Sequence, residues 1–351
     1  MPAVFTDHMV LQADQAIPVW GWGEPDSTIR VAFAGKTATA PVGKDGKWTL
    51  HLDALPASFE PKAMTITSSN GDPAVEIGDI LIGEVWLCSG QSNMWWSVAE
   101  SKDAEQEIRQ ADFPQIRLFC VPPNASPEPL DDVPANWQLC SPESVGTFSA
   151  VAYSFGRKLH QDLKVPVGLV QLAFRGTPVS SFMDQETVEN TASNHLIYGH
   201  DKKQKGAKNP KLNCISSHCY NAMVHPVVPF AARGVIWYQG EANAAATKPY
   251  IQWYTDYVKM MRQKFNNPDM PFYHVQLAGW DHPKIKWAKF RLAQEATLKI
   301  PNTGMVTAMD LGERDDIHPK NKQEVGRRLA LCALNQTYGK TDVVCRGPQF
   351  A

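Results

Sequence analysis

A serine that could act as a nucleophile stands at Ser92, in Gly90-Gln91-Ser92-Asn93-Met94, directly after the apolar run Val85-Trp86-Leu87-Cys88. A free hydroxyl is a weak attacker, so it needs a base to take its proton and a third group to hold that base in the right tautomer. One loop supplies both residue types: Asp315 and His318, the histidine 226 residues beyond the serine. An imidazole with an ordinary pKa of about 6.5 suits the proton transfer. The offset of three lets a turn bring the Asp315 carboxylate back to the ring, whereas Asp316, two residues away, is expected to point elsewhere. Met94 occupies the second glycine position of a Gly-x-Ser-x-Gly elbow, which argues against an ordinary α/β-hydrolase.

Each of these residues also has a plainer role. Ser92 could cap a helix starting near Asn93, since serine is a favoured N-cap. The two roles are compatible, because a nucleophile at a helix N-terminus gains from the local positive potential. A histidine before a proline is often structural, but the acid three residues earlier favours a base with its orienter. His218, between Cys214 and Cys219, is the other histidine that tempts as a ligand. Cys-x4-Cys without a second pair is a poor zinc site, so no metal and no cofactor is expected. Trp95 and Trp96, next to the serine, read equally as a sugar-stacking wall or as core.

Three ordered blocks carry a resemblance to a known family: residues 83–94 around the serine, Gly234-Val235-Ile236-Trp237-Tyr238-Gln239-Gly240-Glu241-Ala242-Asn243, and Asp315-Asp316-Ile317-His318-Pro319. With the opening residues 4–12 the match covers nearly the whole chain. It resembles the SGNH/GDSL hydrolase superfamily, specifically the sialate O-acetylesterase-like carbohydrate esterases. The resemblance implies a catalytic Ser92, Asp315 and His318. It implies an oxyanion hole from the backbone of Ser92 and Gly176 and a side-chain amide, with Gln239 favoured and Asn243 its rival. Gln91, Trp95, Trp96, Arg175 and Glu241 are the residues expected around the substrate, Glu241 as support and not as an acid; the chain departs from the family's pattern at Arg175, where a glycine is common, and at Trp95 and Trp96, where a polar residue is common. The implied activity is a serine esterase that removes O-acetyl groups from sialic acid or a plant polysaccharide through an acyl-enzyme. The alternative is a glycan-binding protein on an esterase scaffold that has lost activity.

Composition sets outer bounds. A chain of 351 residues, 43% hydrophobic and 20% charged, is an ordinary globular protein with room for one large and one small domain. A net charge of −2 offers no field for nucleic acid, and Lys202-Lys203-Gln204-Lys205 reads as a solvated loop. No apolar stretch is long enough to span a bilayer. The expected partner is thus an acetylated carbohydrate, with neither nucleic acid nor membrane; oligomeric state is not legible. Relatives of this kind usually carry a secretory leader before the segment that starts here, so a secreted or periplasmic location is expected. The seven cysteines do not fix the compartment.

The elements that must position these residues divide near residue 78. Residues 1–78 read as short strands at 17–20, 29–33, 48–52 and 64–67, with a hairpin turn at Asp45-Gly46, and predict a small β-sandwich. Residues 79–351, a unit expected to continue past the chain's end, alternate apolar strands with amphipathic stretches. The strands are expected at 82–89, 115–121, 167–173, 235–239, 272–277 and 305–310, the helices at 150–163, 249–265, 287–299 and 321–338. That alternation predicts an α/β fold with a doubly wound parallel sheet, the flavodoxin-like architecture of SGNH hydrolases. Ligands of such sheets bind beyond the carboxyl ends of the strands. Ser92, Gly176, residues 239–243 and the Asp315–His318 loop all follow strands at that edge.

Overall fold

Period-two alternation runs through the first part of the chain, as in β5 below, where exposed and buried residues take turns. The strands there are β1 (Val10–Gln12), β2 (Ile17–Trp22), β3 (Thr28–Phe33), β4 (Lys36–Pro41), β5 (Lys47–Leu52) and β6 (Ser58–Ser68). β3 pairs antiparallel with β4 and β6, and β2 pairs antiparallel with β5, which gives the two layers of a small sandwich. The hairpin turn lies at Ala34-Gly35, both with positive φ, and not at Asp45-Gly46, which links β4 to β5 across the layers. β4 reads Lys-Thr-Ala-Thr-Ala-Pro, too short of large apolar residues to announce itself as a strand.

The structure, a computed structural model, describes residues 1–281 and 285–347; residues 348–351, the end of the expected catalytic unit, lie outside the described residues. Strand β7 (Val75–Gly90) carries the chain from one unit into the other. Its first half pairs with β6, and its second half lies at the centre of the main sheet. Every residue from Ile80 to Gly90 is buried, which explains the continuous apolar run: a strand covered on both faces does not alternate. The expected boundary after residue 78 therefore falls inside a strand. β1 also pairs in parallel with β7, Val10 opposite Leu81, so the start of the chain is stitched to the same strand that carries the serine.

After β7 come α1 (Ser92–Trp95), α2 (Ala104–Arg109), β8 (Phe113–Cys120), β9 (Trp137–Cys140), α3 (Ala150–Leu163), β10 (Val167–Ala173), α4 (Gln185–Asn190) and α5 (Asn194–Lys205). The chain continues through β11 (Gly234–Tyr238), α6 (Thr247–Lys264), β12 (Phe272–Gln276), α7 (Trp287–Ala296), β13 (Thr303–Thr307) and α8 (Lys322–Gln336). The sheet order is β13-β12-β11-β7-β10-β8-β9, parallel except for β9 at the edge. The doubly wound α/β fold is thus present. Its central strand β7 is flanked by the third and fourth parallel strands, where the flavodoxin order 2-1-3-4-5 would flank the first with the second and third. That order sets the ends of β10, β7 and β11 side by side. α3 packs on α8, and α6 packs on α7. Lys202, Lys203 and Lys205 lie in the last turn of α5, not in a loop, where cations oppose the negative end of the helix.

Candidate active site

The nucleophile loop begins with a close approach of backbones. Gly90 has φ +143°, and a Cβ there would sit 2.2 Å from the Tyr238 carbonyl oxygen of β11. With no side chain in the way, Gln91 donates its N–H to that carbonyl at 3.0 Å. Ser92 then opens α1, at the first helical position rather than as the cap. A backbone N–H there has no partner within its helix. The Ser92 hydroxyl makes no capping bond either: its Oγ lies 2.9 Å from His318 Nε2. With the imidazole proton on Nδ1, the hydroxyl donates to Nε2, the polarity that deprotonation by a general base requires.

His318 is fixed from several sides. Its ring stacks on Trp96 at 5.0 Å between centroids and 19° between planes. Trp96 is thus a surface against which the imidazole rests. Its neighbour Trp95 is half-buried and packs on the hydrophobic core. The acid beside the ring is Asp316, not Asp315. Asp316 Oδ1 accepts the His318 backbone N–H at 2.8 Å and lies 3.6 Å from Nδ1. This tight side-chain turn curls the Asp316 carboxylate round to the ring, while Asp315 is exposed and, among the described residues, makes no hydrogen bond or ion pair. At 3.6 Å the Asp316 contact is an ion-pair distance, longer than a hydrogen bond. Burial pulls the His318 pKa below its ordinary value, Lys322 and Arg175 add to this, and Asp316 opposes it. The balance favours the neutral ring, the form a base needs.

Hydrogen-bond direction distinguishes the two amides expected on the oxyanion side. Asn243 Oδ1 accepts the Val179 N–H at 3.0 Å, which only an oxygen can do. The Gln239 atom 2.7 Å from the same oxygen must then be Nε2, which also donates to the Thr177 carbonyl at 3.1 Å. Gln239 is fully buried with its amide hydrogens spent on protein acceptors, so it is not a free donor. The Asn243 Nδ2, by contrast, makes no protein hydrogen bond among the described residues. Of the two amides, Asn243 is the one able to meet an oxyanion, the reverse of the expectation. Gly176 has φ +72°, a conformation that favours glycine, and its N–H likewise has no protein acceptor among the described residues.

The other expected residues have mainly structural partners. Gln91 is buried, and its Oε1 accepts the backbone N–H of Ala242 at 3.1 Å, tying the β11 loop to the serine loop. Arg175 pairs with Glu100 at 3.0 Å and lies over the Trp96 ring at 5.9 Å. The Glu241 carboxylate accepts from Asn93 Nδ2 at 2.5 Å, so the partners of Gln91 and Glu241 are the loops that carry the site. Two residues escaped the sequence reasoning. Asn93 also donates to the Ile317 carbonyl at 3.1 Å, and its Oδ1 accepts from Lys322 Nζ at 2.5 Å. Lys322 is fully buried at the start of α8, where a lysine gives no signal of burial in sequence. A cleft of about 580 Å³ opens beside Asn243, walled by Pro178, Leu196, Ile197 and Trp253.

Residues 82–335 match the family described as "Carbohydrate esterase, sialic acid-specific acetylesterase". The chain is 30% identical to sialate O-acetylesterase of Rattus norvegicus over 403 residues, covering 97% of this chain and 74% of the relative. It is 30% identical to the Homo sapiens sialate O-acetylesterase over 385 residues, covering 97% and 72%. The crystal structure of a carbohydrate acetylesterase from Xanthomonas citri superposes with a TM-score of 0.90 at 34% identity, over 100% of this chain and 78% of that one. The chain belongs to the sialic acid-specific acetylesterase family of carbohydrate esterases.

Proposed function

We propose that this protein is a serine esterase that removes O-acetyl groups from carbohydrates through an acyl-enzyme on Ser92. The observation that carries the reading is the 2.9 Å contact between Ser92 Oγ and His318 Nε2. His318 takes the hydroxyl proton as Oγ attacks the acetyl carbonyl, and the tetrahedral oxyanion is met by the N–H groups of Ser92 and Gly176 and by Asn243 Nδ2. The imidazolium then protonates the departing sugar oxygen, and the C–O bond to the sugar breaks. In the second half, His318 removes a proton from water, which attacks the acetyl-serine and releases acetate. Asp316 steadies the imidazolium. Each oxyanion donor of this kind is commonly worth about 2.7–4 kcal/mol.

The family match and the acetylesterase relatives support an acetylated sugar as substrate. Sialic acid and plant polysaccharide both remain within this class. The paired Ser92 and His318 speak against an inactive glycan-binding scaffold, for which that contact would have no use. The test is acetate release from a panel of O-acetylated sialic acids and acetylated xylan by the wild-type chain and Ser92→Ala. The variant is expected to fold and to lose about 10⁴-fold or more of kcat/KM. Activity within tenfold of wild type would refute the mechanism.

A further inference from the structure

A lysine with no exposed surface is costly to fold and calls for a reason. Lys322 Nζ donates to Asn93 Oδ1, lies 5.5 Å from the Trp96 ring centroid and 5.5 Å from that of Tyr238. Each of these neighbours leads to the reacting pair. Asn93 follows Ser92 in the chain and donates to the carbonyl of Ile317, the residue before His318. Trp96 carries the His318 ring on its face. The ammonium therefore sits behind the catalytic pair, touching the serine loop directly and reaching the histidine loop through Asn93.

We propose that Lys322 is a positioning residue that sets the pH at which His318 becomes a competent base, its cation opposing protonation of the imidazole while its hydrogen bond to Asn93 holds the two catalytic loops in register. The charged groups around it are few. Glu241 from the β11 loop and Glu313 and Asp316 from the histidine loop favour the ammonium. On α8 itself, Glu324 is taken up by Arg327 and Arg328. Arg175, from the β10 loop, adds a second positive charge felt by His318 but is held by Glu100. α1 contributes no charge.

Burial pushes the Lys322 pKa down to about 7. The His318 pKa is pulled below the ordinary imidazole value as well, by burial first and by Lys322 second. Asn93 spreads the link: one face of its amide accepts from Lys322 and the other donates to both Glu241 and Ile317.

This inference rests on the Ser92–His318 reading, and its test is the shape of the pH profile, not its height. The acid limb of kcat/KM for p-nitrophenyl acetate is measured for the wild type, Lys322→Gln and Lys322→Met. Gln removes the charge and keeps a donor for Asn93; Met removes both. The acid midpoint is expected to move up by about 0.5 pH unit or more in each, as when a like charge is removed from beside a titrating group. The plateau rate is expected to fall further in Met than in Gln. An acid midpoint unmoved in Lys322→Gln would overturn the proposal, and so would a Lys322→Gln chain that fails to fold, because the lysine would then be a structural element only. Persisting activity in Ser92→Ala would instead sink the esterase mechanism, whatever the profiles show.

Discussion

The Val179 N–H donates to Asn243 Oδ1 at 3.0 Å, and that single bond orients two amides at once. An N–H cannot face an NH₂ group, so it fixes the Asn243 oxygen, and the Asn243 oxygen in turn fixes the Gln239 nitrogen. Gln239 is thereby taken up as a brace, and the Asn243 NH₂ is left open to donate. Asn243→Ala is therefore expected to lower kcat by about 10²–10³-fold with little change in KM, because an oxyanion donor acts on the transition state. Gln239→Ala should be milder in kcat, since Val179 still holds the asparagine. Steady-state kinetics on one acetyl ester decide the order, and a more damaging Gln239 change would reverse the assignment.

Asp316 and Asp315 differ in the same decidable way. Only Asp316 reaches His318, at 3.6 Å from Nδ1, and its side chain is 45% exposed. Solvent screens such a contact, and an asparagine could still accept the His318 N–H. Asp316→Asn is expected to cost about 10–100-fold in kcat, well short of the roughly 10⁴-fold seen when a buried triad acid is replaced. Since Asp316 favours the imidazolium, its removal should also move the acid limb to lower pH. Asp315→Asn should behave as wild type; a large loss there would restore the acid three residues before the histidine.

The fold was largely legible because both of its units speak in simple periods. β10, buried along its whole length, and α3, with its capping Ser149, lie where the apolar pattern puts them. β4 and β9 were missed, the one for lack of large apolar residues and the other because four residues are too few for a period to register. At the site, Ser92 and His318 were legible from residue type and setting. The choices between Asp315 and Asp316, and between Gln239 and Asn243, were not, since each turns on which way one side chain faces. Lys322 shows the same limit from another side: its charge argues for exposure, and only the placement of its side chain against Asn93 and Trp96 reverses that.

Trp96 supplies a prediction that separates substrate stacking from support of the base. The ring lies against His318 and donates Nε1–H to the Glu100 carbonyl at 2.9 Å, so it is anchored at its far end. An aromatic pair of this kind is worth about 0.5–1.5 kcal/mol, or a roughly two- to twelvefold loss of rate if the whole of it orients the imidazole. Trp96→Ala is expected to lower kcat within that range for p-nitrophenyl acetate and for an acetylated sugar alike, with Trp96→Phe restoring most of it. A loss confined to the sugar, and appearing in KM, would make Trp96 a substrate wall instead.

His274 of β12 gives the protein a predictable weakness in acid. It is 2% exposed, its Nδ1 has no partner among the described residues, and burial lowers its pKa to about 4. The unfolded chain, with an imidazole pKa of about 6.5, binds this proton more readily than the folded one between those two values. Stability is therefore undiminished by this group above about pH 6.5, declines as pH falls below it, and stops declining from this cause near pH 4. Two and a half pKa units correspond to a loss of about 3 kcal/mol at the acid end. Urea unfolding at intervals between pH 7 and 4 should show that slope, and His274→Gln should flatten it. If the variant and the wild type lose stability in parallel over this range, the acid sensitivity lies elsewhere and His274 is not its source.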